Sequence, residues 1–139
     1  MKRLLVDTNV VLTFCLTAGL TRIQASRFGL ALKRAFWEGF LAAHAITTVH
    51  GLVQRELGAA NAKQLMALML RVFHVATVDG AVIEQALRLP MADFEDAVTA
   101  AAAVTSECQY VVTRDPKGFR GSPIQALAPE ATLPILGLQ

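Results

Sequence analysis

The feature that constrains this chain most is an aspartate placed directly after a short apolar run. Leu4-Leu5-Val6 precedes Asp7, and apolar residues resume at Val10-Val11-Leu12. Because a carboxylate is costly to bury without a partner, Asp7 needs a structural or a chemical reason to stand there. A first strand at Arg3–Val6 would place Asp7 at its carboxyl end, where open α/β sheets form their ligand sites.

Strand-like and helix-like segments alternate along the rest of the chain. The segment 10–41 is predicted to be mostly helical, since Phe28, Leu32, Phe36 and Phe40 recur at spacings of three or four residues. Further strands are predicted at 45–49, 71–78, 110–113 and 134–138, and helices at 54–57, 61–70, 80–90 and 93–108. This order indicates βαβ units in a three-layer α/β/α fold with a central parallel sheet of about four to five strands. Residues 1–139 are expected to form one domain.

The composition agrees with helices packed closely on a sheet. Hydrophobic residues make up 54% of the 139 residues and charged residues 17%, and the mean hydropathy is +0.46. A mean hydropathy this high suggests that part of the apolar surface is buried between subunits, as in a homodimer. Cys15 and Cys108 lack a pairing framework, which favours free thiols in a reducing cytoplasm. Asp7 and Asn9 interrupt the signal-like start, and no run approaches the roughly 18 apolar residues of a membrane span.

Acidic residues follow predicted strands or open a predicted helix at three separate places: Asp7, Asp96 and Asp115. In a parallel sheet these positions would meet at the carboxyl edge, where unneutralised carboxylates repel one another. A divalent cation with oxygen ligands, Mg²⁺ or Mn²⁺, would relieve that repulsion. The histidines, His44, His50 and His74, lack a zinc-like spacing and are predicted to be ordinary surface or core residues.

Each acid also has a purely structural explanation. Asp93 is a favoured N-cap for the alanine-rich helix, and Asp96 is then its third residue, where acids are common. Asp7 could cap the helix after the first strand, and Asp115 could start a turn before Pro116. These alternatives stay open at the level of the sequence. Walker-type or dinucleotide phosphate loops and the Gly-x-Ser-x-Gly elbow of serine hydrolases are absent from the sequence.

The charge balance is mildly basic, with a formal net charge of +2 and a sequence pI of about 8.8. Arg114, Lys117 and Arg120 surround Asp115 and could form a rim that a polyanion approaches. An ordinary solvated loop explains the same three cations equally well.

The chain resembles the PIN-domain family in three ordered motifs. Residues Leu5-Val6-Asp7-Thr8-Asn9-Val10 are similar to the family's opening motif. Asp93-Phe94-Glu95-Asp96-Ala97 and Val112-Thr113-Arg114-Asp115, with Phe119, resemble its two later acidic motifs, the first being typical of one subfamily. Leu127-Ala128-Pro129-Glu130-Ala131 is similar to its usual ending. The resemblance implies a parallel α/β/α fold and a metal-dependent ribonuclease. Many small bacterial members are VapC-like toxins, usually dimeric and restrained by an antitoxin.

The resemblance also implies roles for individual residues. Asp7, Asp96 and Asp115 match the catalytic and metal-binding acids, and Asp93 is an adjoining acid. Thr8, Asn9 and Thr113 would support them through hydrogen bonds. Most active members carry a glutamate early in the helix after the second strand, but this chain reads Thr48-Val49-His50-Gly51-Leu52 there. The nearest acid, Glu56, is predicted to be a solvated helix charge.

Two main functional hypotheses follow. The first is an Mg²⁺- or Mn²⁺-dependent endoribonuclease, which could be the toxin of a type II toxin–antitoxin pair. Arg114, Lys117 and Arg120 would then hold the RNA backbone. The second is a PIN-like domain that binds RNA or a protein partner with weak or no catalysis, which the missing glutamate favours. An unrelated α/β domain whose acids are only helix caps is a third reading.

Overall fold

The computed structural model describes residues 2–16 and 29–137, which form a five-stranded parallel sheet with helices on both faces. The strands lie in the order β3-β2-β1-β4-β5. They are β1 (Lys2–Val6), β2 (Trp37–Ala42), β3 (His74–Ala76), β4 (Tyr110–Val112) and β5 (Gln125–Leu127). The helices are α1 (Thr8–Leu16), α2 (residues 29–34), α3 (Ala43–Leu57), α4 (Ala59–Val72), α5 (Gly80–Arg88), α6 (Phe94–Thr105) and α7 (Pro129–Ile135), with a 3₁₀ turn at Pro116–Phe119. The predicted three-layer α/β/α class is confirmed.

Alternate residues of the central strands point to opposite faces and form two separate cores. Leu4 and Val6 pack with apolar residues of α1, α3 and α4, whereas Leu5 packs with those of α5 and α6. All three β1 residues are at most 1% exposed, as expected for a central parallel strand covered on both sides. On the second face the small residues 97–103 of α6 are buried along their whole length, which lets this helix approach the sheet closely.

The second strand lies elsewhere than predicted. It is Trp37–Ala42, which the sequence assigned to a helix, and the strand predicted at residues 45–49 lies inside α3. Ala45, Val49 and Val53 are buried at a spacing of four, the period of a helix, which outweighs their local β-branched character. Gly39 is required within β2, since a Cβ there would lie 2.8 Å from both Leu32 Cδ1 and Phe73 Cδ1.

The C-terminal prediction was also wrong. Residues 134–138 were expected to be a strand, but the last strand is Gln125–Leu127 and residues through Ile135 continue as α7. Pro129 opens this helix, where its missing N–H is not needed. Leu138 lies outside the described residues, and so do Phe28 and the rest of segment 17–28.

The strand predicted at 71–78 is shorter in the structure, since residues 71 and 72 belong to α4 and β3 spans only His74–Ala76. Two other boundaries agree with the sequence. Gly58, with φ of +87°, separates α3 from α4 as predicted, and Asp93 is the N-cap of α6. Cys108 is buried and free, and burial raises the pKa of its thiol to about 12; the side chain of Cys15 lies outside the description. Within residues 2–16 and 29–137, every helix is too short or too polar to cross a membrane.

Candidate acidic site at the carboxyl edge of the sheet

The five strands run parallel, so the loops that follow them begin at one edge of the sheet. Asp7 directly follows β1 and Thr113 directly follows β4, which pairs with β1. Asp7 N still donates to Val112 O at 2.9 Å, so the aspartate continues the hydrogen-bond pattern between β1 and β4. The parallel topology thus brings the first and the last acidic motif together across more than a hundred residues of sequence.

Asp7 is a buried carboxylate held on both oxygens. It is 8% exposed, its Oδ1 accepts from Thr8 N at 2.8 Å, and its Oδ2 accepts from Thr113 Oγ1 at 2.9 Å. Burial raises the pKa of Asp7 above its ordinary value, against the opposing effect of these two hydrogen bonds. The bonds fix the direction of the carboxylate, so Asp7 is a rigid part of the site.

The Thr113 hydroxyl links three residues from two distant segments of the chain. It donates to Asp7 and accepts from Asn9 Nδ2 at 3.3 Å and from Asp115 N at 3.2 Å. A hydroxyl has one donor and two acceptor positions, so all of its capacity is used. The side chain is fully buried. The predicted supporting roles of Asn9 and Thr113 therefore have a physical basis, whereas Thr8 contributes only its backbone N–H to Asp7.

Asp96 and Asp115 come close to one another over Gly118. A Cβ placed on Gly118 would lie 3.0 Å from Asp96 Oδ2 and 3.0 Å from Asp115 Oδ2. The two oxygens are therefore no further apart than twice that distance. They come from different elements, since Asp96 is in the first turn of α6 and Asp115 precedes the 3₁₀ turn that contains Gly118. The glycine leaves the space between two carboxylates open.

The electrostatics show that the acids form one cluster. The pKa of Asp96 is raised to about 6 by burial and then by four surrounding carboxylates: Asp7, Asp93, Glu95 and Asp115. Like charges at short range disfavour ionisation of a carboxyl group, so this site concentrates negative charge. Asp93 also has the capping role that the sequence allowed, because its Oδ1 accepts from Asp96 N at 3.0 Å.

The donor set fits a hard divalent cation that keeps most of its water. Throughout the described ranges, no three histidine, cysteine, aspartate or glutamate side chains are close enough together to hold a metal ion by themselves. Mg²⁺ is commonly held by one or two carboxylates and several waters. Asp96 and Asp115 would supply two such carboxylates over Gly118. A cation there would offset the repulsion that, after burial, raises the pKa of Asp96.

His44 also belongs to this edge, which sequence reasoning missed. It lies in the first turn of α3, and its proximity is the smallest of the influences that lower the pKa of Asp7. Its Nε2 is 3.4 Å from Thr99 Oγ1, whose proton is directed to Glu95 O at 3.1 Å. His44 Nε2 is therefore the donor of that pair, and its buried Nδ1 has no hydrogen-bond partner. A second strand placed at Trp37–Ala42 would have revealed this position from the sequence.

Glu56 does not reach the acidic site. It is exposed near the end of α3, twelve residues after His44, which corresponds to about 18 Å along a helix. Its carboxylate lies 3.9 Å from the Arg55 guanidinium, and 58% of its side chain is exposed. Thr48 is exposed as well. The geometry supports the reading of Glu56 as a solvated helix charge.

The three predicted RNA-binding cations differ in their surroundings. Arg114 donates through Nη1 to Thr13 Oγ1 and through its backbone N–H to Asn9 Oδ1 at 3.2 Å, so it braces α1. Lys117 and Arg120 are exposed at the 3₁₀ turn beside Asp115. All three cations are exposed, and Arg114 differs in that its guanidinium is hydrogen-bonded to α1.

Comparisons with known proteins place this fold and its motifs in a family. The family model described as PIN domain matches residues 3–117. The structure is similar to Mycobacterium tuberculosis VapC20, a sarcin–ricin loop cleaving toxin, with 23% identity and a TM-score of 0.57 over 78% of this chain and 86% of that one. It is also similar to Rickettsia felis VapBC2 bound to a promoter DNA fragment, with 11% identity and a TM-score of 0.70 over 91% and 98% of the two chains.

A further similar structure is FitAcB from Neisseria gonorrhoeae, with 18% identity and a TM-score of 0.62 over 91% of this chain and 98% of that one. No curated protein matches the sequence. At these identities the solved structures show a shared fold, and the family model spans most of the sequence. The chain belongs to the PIN-domain family.

Proposed function

We propose that this protein is a divalent-metal-dependent endoribonuclease whose active site is formed by Asp7, Asp96 and Asp115. The observation that carries the proposal is the pair of carboxylate oxygens, from Asp96 and Asp115, that share the space over Gly118. The raised pKa of Asp96 supports it, because a cluster of acids that destabilises its own ionised form is suited to a cation. Membership of the PIN-domain family agrees with nuclease chemistry.

The geometry of the site suggests a separate role for each residue. Asp96 and Asp115 would hold Mg²⁺ or Mn²⁺ from one side, and the buried Asp7, fixed by Thr113, would orient a water or a further ligand. A bound cation of this kind supplies a water of lowered pKa and stabilises negative charge on a phosphate. Lys117 and Arg120 would contact the RNA backbone, which contributes affinity without sequence choice. Asp93 would act mainly through its cap on α6.

The direct test is RNA cleavage by purified protein with Mn²⁺ or Mg²⁺. Asp7→Asn, Asp96→Asn and Asp115→Asn should each lower the rate at least about a hundredfold, as removal of a preorganised charged group commonly does. Asp79→Asn is the matched control, since Asp79 caps α5 by accepting from Val82 N at 3.0 Å and asparagine caps equally well. If wild-type protein cuts no RNA with either metal, or if the Asp7 variant cuts as fast as wild type, the proposal fails.

A second candidate function is a PIN-like domain that binds RNA or a partner without turnover. The absence of an acid from residues 48–52, where most active members carry a glutamate, favours this alternative. Within the described residues, the lack of three ligating side chains close enough together to hold a metal ion favours it as well. Calorimetric titration with Mn²⁺ separates the two functions. Micromolar binding that disappears in Asp96→Asn supports the nuclease, whereas RNA binding that is equal in wild type and Asp96→Asn without metal supports the alternative.

We further propose that the nuclease acts as the toxin of a toxin–antitoxin pair, which the comparisons favour. VapC20 is a toxin, and the VapBC2 structure is bound to a promoter fragment, so similar folds occur in toxin–antitoxin systems. A homodimer is consistent with the mean hydropathy of +0.46. Co-expression with the product of the adjacent gene tests the partner: a stable complex that suppresses RNA cleavage supports it. Sedimentation of the purified protein tests the dimer.

A further inference from the structure

Phe36 has two unusual properties in this fold. It is 73% exposed, and its φ of +60° is in the left-handed region, which bulky side chains rarely adopt. It follows the helical residues 29–34, and its N–H donates to Lys33 O at 3.1 Å, a position where glycine is the usual residue. Because the ring is exposed, its burial does not offset the free-energy cost of this backbone conformation. Strained positions of this kind tend to occur where a side chain is needed for binding.

Two clefts meet at Phe36. One, of about 430 Å³, is lined by Leu32, Lys33, Trp37 and Val72 among others, and the other, of about 560 Å³, is lined by Lys2, Trp37, Ile135 and Leu136 among others. Phe36 lines both clefts. The exposed ring therefore stands as a ridge between two open grooves at the amino edge of the sheet, where β1 and β2 begin.

The surroundings of this ring are basic. Lys2 Nζ lies 5.5 Å from the centroid of the Trp37 ring, which holds the cation beside one groove. Lys33 lines the other groove and, with the exposed Arg71, a smaller adjoining cleft. The one acid that lines these clefts in the described part of the chain, Glu38, is paired with His74 Nε2 at 3.0 Å and Arg3 Nε at 3.5 Å. We call Lys2, Lys33, Phe36, Trp37 and Arg71 the Phe36 surface.

The two edges of the sheet are thus opposite in charge. The carboxyl edge carries five of the eleven acids, namely Asp7, Asp93, Glu95, Asp96 and Asp115. These carboxylates repel a polyanion, so cations elsewhere on the molecule would add to the affinity that Lys117 and Arg120 provide at this edge. At about 3.3 Å per strand residue, the amino edge is on the order of 13 Å away along β1, within reach of a nucleic acid longer than the one held at the acids.

We propose that the Phe36 surface is a second binding site for single-stranded RNA, with a base stacked on the Phe36 ring and backbone phosphates on Lys2, Lys33 and Arg71. Nonspecific single-strand sites combine such a stacking aromatic with a basic groove. A protein partner is less well matched, because lysines are depleted in the cores of protein–protein interfaces. The inference rests on the proposed function only for the choice of RNA as the polyanion.

Fluorescence anisotropy with a labelled single-stranded RNA, in EDTA, tests the stacking contact. Phe36→Ala should weaken binding about fivefold to a hundredfold, the loss expected for one base–aromatic stack, while Phe36→Tyr should bind like wild type. Leu87→Ala is the control, since Leu87 is 69% exposed on α5. Duplex RNA should compete poorly, because its bases are not available for stacking.

The salt dependence tests the phosphate contacts. A plot of log affinity against log salt concentration has a negative slope. Removing one lysine that neutralises a phosphate of a single strand should make this slope less steep by about 0.7. Lys33→Gln and Lys2→Gln should each show this decrease, and Lys63→Gln, at an exposed position of α4, should leave the slope unchanged. Equal slopes in all three variants would rule out the proposed phosphate contacts.

Phe36→Gly separates a binding role from a structural one. Glycine suits the left-handed conformation, so this variant should melt at the same temperature as wild type or higher while binding RNA more weakly. A melting temperature well below that of wild type, together with unchanged RNA affinity, would mean that the ring only stabilises the fold.

The remaining outcomes distinguish this proposal from the nuclease and from a subunit interface. RNA binding that depends on Phe36 without any cleavage overturns the proposed activity and retains this site. Cleavage of long RNA whose KM and Kd do not change in Phe36→Ala retains the activity and overturns this site. A change of oligomeric state in Phe36→Ala during sedimentation, with RNA affinity unchanged, assigns the surface to a second copy of the chain instead.

Discussion

The hydroxyl of Thr113 donates a 2.9 Å hydrogen bond to Oδ2 of Asp7, across the boundary between two neighbouring parallel strands. Both residues are buried, and each follows the last residue of its strand. Because the same hydroxyl accepts from Asn9 and Asp115 N, one side chain connects the first acidic motif to the third. The site therefore depends on Thr113 as much as on its acids.

Thr113→Val should destabilise the protein while keeping the volume of the side chain nearly constant. The change leaves a buried Asp7 oxygen, Asn9 Nδ2 and Asp115 N without their shared partner, which costs about 1–3 kcal/mol. Urea unfolding in EDTA measures the loss. Thr132→Val is the control, because the buried Thr132 hydroxyl bonds only Ala128 O, so its loss should be smaller. Equal losses of stability in the two variants would show that the three Thr113 hydrogen bonds contribute no more than the single bond of Thr132.

The metal-free protein should lose stability as the pH rises from about 4 to 7. The pKa of Asp96 is about 6 in the folded protein against 3.8 ordinarily, and that of Asp7 is also raised, so between these values the folded state binds more protons than the unfolded state. The part due to Asp96 is of the order of 1 kcal/mol once solvent screening of a half-exposed carboxyl is allowed for.

Melting temperatures in EDTA at pH 5 and pH 7.5 measure this slope. Asp96→Asn should flatten it and should be the more stable protein at pH 7.5, while Asp79→Asn should keep the wild-type slope. Saturating Mn²⁺ should stabilise wild type at pH 7.5 by binding the ionised cluster. A stability that increases steadily from pH 5 to pH 7.5 in EDTA would contradict the clustering of these acids.

Gly118→Ala should weaken Mn²⁺ binding at least about tenfold. The new Cβ would lie 3.0 Å from oxygens of both Asp96 and Asp115, so at least one carboxylate must shift by a few tenths of an ångström, and the methyl group would occupy part of the space between them. A misplaced ligand is less favourable even when its chemistry is unchanged. Calorimetric titration gives the affinity. Gly51→Ala is the matched control: nothing lies within 4 Å of its Cβ position, so it should bind Mn²⁺ normally and gain about 0.5–1 kcal/mol of helix stability.

Lys117→Ala and Arg114→Ala should have different consequences, although the two residues are only three positions apart in the sequence. Lys117 is exposed at the 3₁₀ turn, so its removal should lower RNA affinity and reduce the salt slope by about 0.7 without changing stability. Arg114 donates to Thr13 on α1, so its removal should lower stability by about 0.5–1.5 kcal/mol. Anisotropy and urea unfolding on both variants check this, and a stability loss in the Lys117 variant alone would reverse the assignment.

The three acidic motifs could be recognised from the sequence because each is local. Asp7 follows an apolar run short enough for a strand, and Asp93 and Asp96 stand at the start of an alanine-rich helix. The capping explanation was also correct for Asp93, whose Oδ1 accepts from Asp96 N. A helix cap and a member of an acidic cluster are compatible roles, since both place carboxylates at the same end of the helix.

The second strand could not be recognised, because Trp37–Ala42 contains a glycine and because Phe40, within it, and Phe36, just before it, imitate a helical period. Its strand conformation is imposed by pairing with β1 and β3 on either side, which a local window does not contain. The error shifted the start of α3 and hid His44, which therefore looked unrelated to the acids.

The sequence by itself determined which residues carry charge into an apolar domain and on which kind of element each lies, since burial and periodicity are properties of neighbouring residues. Only the tertiary structure decided that Asp96 and Asp115 share the space over Gly118, and that Thr113 bonds Asp7. Those relationships depend on strand order and register, which arise from contacts between segments more than a hundred residues apart.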